Sequence, residues 1–528
     1  MTGGERPAEA KPPSVGETPA PISTIDRKAM IVVVSLMMGL LMGALDGTIV
    51  LTALGQILKD LNGQSAAETT FVVAAYLIAQ TIALPIFGKL SDSYGRRRFF
   101  LLGLVVFLIG SALSGISQTT NELIVFRAVQ GVGAGAFFPV AMSIIGVMFT
   151  PEARARLTGV FASVFGIASV IGPFVGSYIV DNLSWRWVFY VNIPIGVIAL
   201  AMIVAYLPPL RATVKPKPFD TVGSVLLAAW VGPLVFVLQE VSAPAGAAWA
   251  WTDPRVLGLL AASAALFVGF LLQELRSADP LVPLRYFQQR VILIGSAISL
   301  LRGVVLLGVS VFVTVFVDIQ LNNGPTSADA VRNVLYGFVL PLVFGSIVGG
   351  RLLLRFPYRP IMVSAMALMT FGMFVLSTAT LATPTWGWTA AGGPTGLGVF
   401  LIPVGFGVGM SFSAVILSVQ YAVPVREIGT ATSLIQFLGS LGGSIGIPVL
   451  TAYYTARFSA LTQGGPPAGT ASPLGWFQAN GVESVHSVFL VMAGVALAAA
   501  VLAVLVSGAL PRDKPKEAHV VPPAAEPA

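Results

Sequence analysis

Between about residue 30 and residue 510 the chain carries fourteen apolar stretches, each long enough to cross a lipid bilayer. A helix needs about 20 apolar residues to span the hydrocarbon core, where only helices and closed barrels satisfy their own backbone polar groups. The stretches 30–57, 69–88, 99–117, 121–149, 154–181, 187–208, 219–241, 254–274, 291–319, 332–353, 360–382, 393–422, 428–457 and 485–510 therefore predict an all-α integral membrane protein. Only 10% of the 528 residues are charged, too few to clothe soluble domains, whose usual share is about 25%. With no Cys and 2 His, disulfide scaffolds, zinc sites, iron–sulfur clusters and thiol catalysis are not expected. Neither an enzyme activity nor a nucleic-acid partner is expected, despite the net charge of +7.

The basic residues orient the spans. With the N-terminus in the cytoplasm, 23 of the 30 Lys and Arg fall on cytoplasmic segments, 5 fall outside, and Arg127 and Arg302 lie within spans. Such a bias follows the positive-inside rule and puts both termini on the cytoplasmic side. Residues 1–28 and 511–528 are polar and Pro-rich, and read as disordered tails. Residues 88–98 and 350–359, offset by 262, share a Gly, a basic residue and a Leu, and Arg97 falls on Arg359. They occupy equivalent places in two six-span sets, 29–208 and 285–510, with two extra spans inserted in 209–284. Parallel repeats of this kind are one transporter layout, with substrate bound near the midplane between the halves.

Scarce charge left at membrane depth marks the candidate sites. Asp46 lies about ten residues, roughly 15 Å, from the outer end of the first span. A carboxylate there has to take up a proton, find a partner or face water, which makes Asp46 a proton or cation site. Arg127, at similar depth in the fourth span, has to be solvated or paired, because Arg stays charged. Asp318 and Arg302 share the ninth span but stand sixteen residues apart, too far to pair. Gln80, Gln130, Gln420 and Gln436 are polar positions within spans and, with Asp46 and Arg302, are candidates to line a cavity. Asp92 is placed to accept from helix N-terminal amides or to pair with Arg96 and Arg97. Gly-rich runs, among them Gly166, Gly172 and Gly176 around Pro173, permit close helix approach. The outer segment 459–484, with Gly464, Gly465, Pro466 and Pro467, is long enough for a small lid or hairpin.

These residues resemble the major facilitator superfamily, in particular its fourteen-span drug:proton antiporter branch. Gly88–Arg98 resembles the signature segment G-x-L-a-D-r-x-G-r-[RK]-x, and Leu45–Val50 resembles the first-span motif of the branch. Arg127–Gly133 resembles R-x-x-Q-G-x-G, Gly166 and Gly172–Gly176 the fifth-span antiporter motif, and Trp185–Pro194 a further branch motif. The chain departs from the branch at Gly439-Ser440-Leu441, where relatives often carry an Arg before the Leu-Gly-Gly run. The resemblance implies two six-helix bundles plus two linker helices. It implies proton coupling through Asp46, Arg127 and Asp318, and a conformational latch built on Gly88, Asp92, Gly95, Arg96 and Arg97. No G-x-x-x-x-G-K-[ST] phosphate loop occurs, so the expectation is a monomeric secondary exporter of small lipophilic, cationic compounds that needs no cofactor and runs on the proton gradient. An exporter of lipids or lipophilic metabolites is the alternative, followed by a non-transporting membrane receptor. The excess of Arg (22) over Lys (8), with abundant Ala and Gly, points to a bacterial plasma membrane.

Overall fold

The computed structural model describes residues 26–61, 66–210, 218–242, 249–321, 327–379, 396–466 and 472–506. The tails expected at 1–28 and 511–528 lie outside the described residues, apart from the three that lead into the first helix. Six spans come first: α1 (Arg27–Asp60), α2 (Ala66–Tyr94), α3 (Arg96–Ile116), α4 (Thr120–Met148), α5 (Pro151–Asn182) and a sixth made of α6 (Trp187–Tyr190) and α7 (Asn192–Tyr206). A pair follows, α8 (Thr221–Val241) and α9 (Pro254–Arg276). Six more complete the order: α10 (Arg290–Leu321), α11 (Ser327–Leu352), α12 (Tyr358–Leu376), α13 (Leu397–Ala422), α14 (Ile428–Thr462) and α15 (Pro473–Val504). Among the described residues, thirteen of these spans are long and apolar enough to cross a membrane, and the 32-residue α5 holds the fifth place. There is no strand among the described residues.

Local chemistry sets several boundaries. The Thr119 side chain accepts from Glu122 N (3.2 Å) to open α4, and Asp220 accepts from Gly223 N (2.7 Å) to open α8. The sixth span stays helical through Val191 (φ −59°, ψ −26°), whose N donates to Trp187 O (3.0 Å), and Pro194 only removes the hydrogen bond to the Tyr190 carbonyl. Two sequence expectations change here. The span expected to end at residue 88 runs further: α2 continues through the signature segment to Tyr94, and Gly95 alone (φ 116°) makes the turn into α3, a left-handed conformation that favours glycine. The outer segment 459–484 is mostly helix. α14 runs on to Thr462, and α15 begins at Pro473, whose preceding Ser472 accepts from Gly475 N (3.1 Å). No room is left for a lid of the length expected.

The two six-span sets touch through a reciprocal exchange. The second helix of each set packs on the fifth helix of the other. A Cβ on Gly88 of α2 would lie 2.5 Å from Ser433 Cβ of α14, and one on Gly350 of α11 would lie 2.5 Å from Ala155 O of α5. Ser346 Oγ of α11 also donates to Gly159 O of α5 (3.0 Å). Helices this close depend on small residues, and the exchange matches the internal repeat read from residues 88–98 and 350–359. The inserted pair leans on both sets. Lys89 Nζ at the end of α2 pairs with Asp279 Oδ1 (2.6 Å), Phe71 of α2 stacks on Phe236 of α8 (5.4 Å), and Trp230 of α8 meets Phe437 of α14 (6.2 Å).

Candidate functional site

Asp46 is fully buried inside the first six-span set, with donors arriving from two helices. Arg127 Nη1 on α4 donates to its Oδ2. Gln130 Nε2, one turn further along α4, donates to Oδ1 (2.8 Å), and Asn192 Nδ2 at the start of α7 donates to the same oxygen (3.2 Å). Both amides also reach Ser111 Oγ of α3 (3.2 and 3.1 Å), which donates to Phe189 O (2.8 Å). Beneath the ion pair, Tyr76 of α2 presents its ring to the Arg127 guanidinium at 4.2 Å and donates its hydroxyl to Gly43 O (2.9 Å). A buried pair with this many hydrogen bonds offsets much of its desolvation, although Arg127 Nε has no partner, whereas either partner alone would be costly. The site holds a carboxylate sealed from solvent against a guanidinium.

At the end where α2 joins α3 and α11 joins α12, Asp92 ties the two halves together. Its Oδ1 accepts from Arg96 Nη2 (3.1 Å) and Ser143 Oγ (2.8 Å), and its Oδ2 from Thr430 N (2.7 Å) and Thr430 Oγ1 (3.1 Å). Thr430 lies in the first turn of α14, so a carboxylate of the first half caps a helix of the second, where unpaired amides and the helix dipole favour an anion. Arg96 also donates to Val425 O (3.1 Å). Arg97 takes no part: its Nη2 donates to Val204 O of α7 (2.8 Å), within its own half. Successive helical residues point about 100° apart, so only one of the two neighbouring arginines faces α14.

Gln80 and Gln436 do line a common cavity of about 120 Å³ between the halves, with Gly43, Ala44, Phe137, Phe138 and Ser440 among its other walls. The remaining cavity candidates stand elsewhere. Asp46 and Gln130 are sealed in the network above, two residues and one helix away from that wall. Gln420 is buried and donates to Thr432 Oγ1 (3.0 Å), tying α13 to α14. Arg302 is buried against Phe412 (4.6 Å). Asp318 sits in the last turn of α10, half-buried and outside the Asp46 network, so the structure does not join it to the expected proton site.

A model of the Major Facilitator Superfamily matches residues 36–447. The chain belongs to that superfamily. It is a multi-pass membrane transporter and not an enzyme. Multidrug resistance protein 3 of Bacillus subtilis (strain 168) is 37% identical over 429 residues, covering 81% of this chain and 80% of the relative. The tetracenomycin C resistance and export protein of Streptomyces glaucescens is 30% identical over 550 residues, with 97% of both chains covered. Among solved structures, the proton:xylose symporter XylE superposes with a TM-score of 0.60 at 15% identity, covering 89% of this chain and 94% of that one, which shows the shared fold.

For this superfamily member, sequence reasoning overlooked three parts of the Asp46 site: Tyr76, Ser111 and Asn192. Asn192 had a usable signal, since a carboxamide directly after an apolar aromatic run and two residues before Pro194 is polar where the span should be oily. The antiporter-motif glycines have divided tasks. A Cβ on Gly166 would strike Val343 of α11, in the other half, while Gly172 and Gly176 face Thr48 and Thr52 of α1. The Pro173 side chain lies outside the described residues. Gly172→Val is expected to cost about 1–3 kcal/mol by overpacking against Thr48. Gly47→Ala, with nothing within 4 Å of its added carbon, should leave the thermal unfolding midpoint of the purified protein unchanged.

Proposed function

We propose that the protein exports small lipophilic drugs or toxic compounds in exchange for protons, by alternating access, as a monomer in a bacterial plasma membrane. The observation that carries this reading is the Asp46–Arg127 pair, a titratable carboxylate held at membrane depth yet shut off from the cavity wall. Asp46 then acts on substrate indirectly. Its helix supplies Gly43 and Ala44 to the cavity, and the Arg127 helix supplies Phe137 and Phe138. A proton on Asp46 releases Arg127, and the two helices repack, reshaping the wall they share. The Asp92 clasp closes one end of the molecule meanwhile. With the basic loops in the cytoplasm, as the positive-inside rule directs, that closed end faces inward. The drug-exporting relatives named above support the direction of transport and the class of substrate. The wall around Gln80 and Gln436 offers amides and a hydroxyl but no carboxylate, which argues against the preference for cations.

A second reading, export of lipids or lipophilic metabolites, draws on another cavity. About 440 Å³ of almost wholly apolar space lies between α9 and α14, walled by Trp230, Phe267, Phe270 and Phe437. Purified protein in proteoliposomes with a trapped pH-sensitive dye separates the readings. Addition of a lipophilic drug is expected to release protons, and an imposed pH gradient is expected to drive the drug in the direction opposite to proton flow. Proton release by short-chain phospholipid but by none of a broad drug panel would put the second reading first.

A further inference from the structure

Arg302, in the middle of α10, is 3% exposed. Its guanidinium lies flat over Phe412, and both Nε and Nη1 are buried without a hydrogen-bond partner. None of the ion pairs of the described residues includes it. Arg127, at comparable seclusion, also has an unpartnered Nε, but its charge is met by the Asp46 carboxylate, and Arg302 has no such counter-charge among the described residues. A guanidinium remains charged at any working pH, and an unpaired buried charge costs several kcal/mol. The contact with Phe412 returns at most about 2 kcal/mol. In purely structural terms, an unbranched apolar side chain would serve the site better.

The position of the guanidinium says what it is for. Arg302 Nη2 lies 3.7 Å from the point a Cβ on Gly439 would occupy. Gly439 sits on α14 between Gln436 and Ser440, and both of these line the cavity between the halves. Phe412, under the guanidinium, meets Phe138 of the same cavity edge-on at 5.5 Å. Next to the wall residue Ser440, α14 therefore puts no side chain between its backbone and the guanidinium.

We propose that Arg302 is the recognition group for the transported molecule, and that this molecule is a lipophile bearing an oxyanion: a carboxylate, phenolate or sulfonate. The inference rests on the export reading and names its substrate class. An oxyanion entering past Gly439 satisfies the nitrogens that lack partners, through charge-assisted hydrogen bonds, while the lipophilic body fills the cavity against Phe137 and Phe138. A cation in the same place is repelled.

Two fluorescent probes test this: 8-anilinonaphthalene-1-sulfonate, and N-phenyl-1-naphthylamine, the same ring system without the sulfonate. Each is titrated into the full chain in phosphatidylcholine nanodiscs, with empty discs subtracted. Arg302→Gln is expected to weaken the sulfonate at least about tenfold and to leave the uncharged probe unchanged, and Arg302→Lys should retain most of the sulfonate affinity. The thermal midpoint of Arg302→Met is expected to hold or rise, which a structural arginine would not allow. Equal sulfonate affinity in wild type and Arg302→Gln, absence of saturable binding in both included, overturns the assignment, as does a loss of equal size for both probes. No gradient enters the assay. A failure of proton-coupled export with the probe difference intact therefore counts against the transport reading and not against this one.

Discussion

Asp46→Asn is expected to abolish proton-driven export, lowering it by at least about a hundredfold, and to destabilise the protein at the same time. The substitution leaves Arg127 buried beside Tyr76 with its counter-charge gone, and breaking a buried pair from one side costs about 3–5 kcal/mol. Loss of activity alone would therefore be ambiguous. The variant that resolves it is Asp46→Asn with Arg127→Gln, in which no charge is stranded and amides replace both partners. This double variant should recover most of the thermal midpoint, measured on purified protein in detergent, and none of the proton coupling, measured as substrate-induced acidification. Coupling that survives in the double variant would remove Asp46 from the mechanism.

Asp92→Ala should open the end that Asp92 now closes. Four hydrogen bonds end on this carboxylate, two of them from the first turn of α14, and bonds to a charged group contribute about 1.5–3 kcal/mol each. The chain has no cysteine, so a single Ser433→Cys reporter, buried beneath Gly88, reads the closure directly. Its labelling by a membrane-impermeant maleimide is expected to speed up at least tenfold in Asp92→Ala and in Gly88→Val, with export falling to a comparable degree. Arg97→Ala should change neither rate, because that side chain is bonded within its own half. Labelling that stays slow in Asp92→Ala would mean that packing, not the carboxylate, holds this end shut.

The residues that sequence could locate are those whose cost is set by depth alone. Asp46 and Arg127 stand out because charge inside a bilayer is expensive wherever the helix happens to point. That argument does not depend on rotation. The cavity-facing set does, and there the reading split: Gln80 and Gln436 reach the space between the halves, while Gln130 and Gln420 turn into helix contacts. With spans that are apolar on every side, no periodicity distinguishes a face toward lipid from a face toward a cavity. Arg96 and Arg97 fail to separate for the same reason. The helical continuations past 457 and ahead of 485 were hidden because polar residues outside the bilayer weaken the apolar signal without weakening the helix. Asn192 escaped because a neutral amide costs little in a span once it is hydrogen-bonded, so depth alone does not single it out as it does a charge.

The Asp46–Arg127 couple also has an electrical consequence. With the carboxylate ionised the couple carries no net charge, so helices that shift it through the membrane field move no current. One proton turns it into a single positive charge at the same depth, and displacing a unit charge through a full 100 mV is worth about 2.3 kcal/mol. Under the proposed exchange, voltage therefore acts on this couple in the protonated stroke and not in the stroke where the pair is ionised. On a solid-supported membrane, a pH jump should give a transient displacement current in the wild-type protein and none in the double variant whose couple is neutral in both strokes.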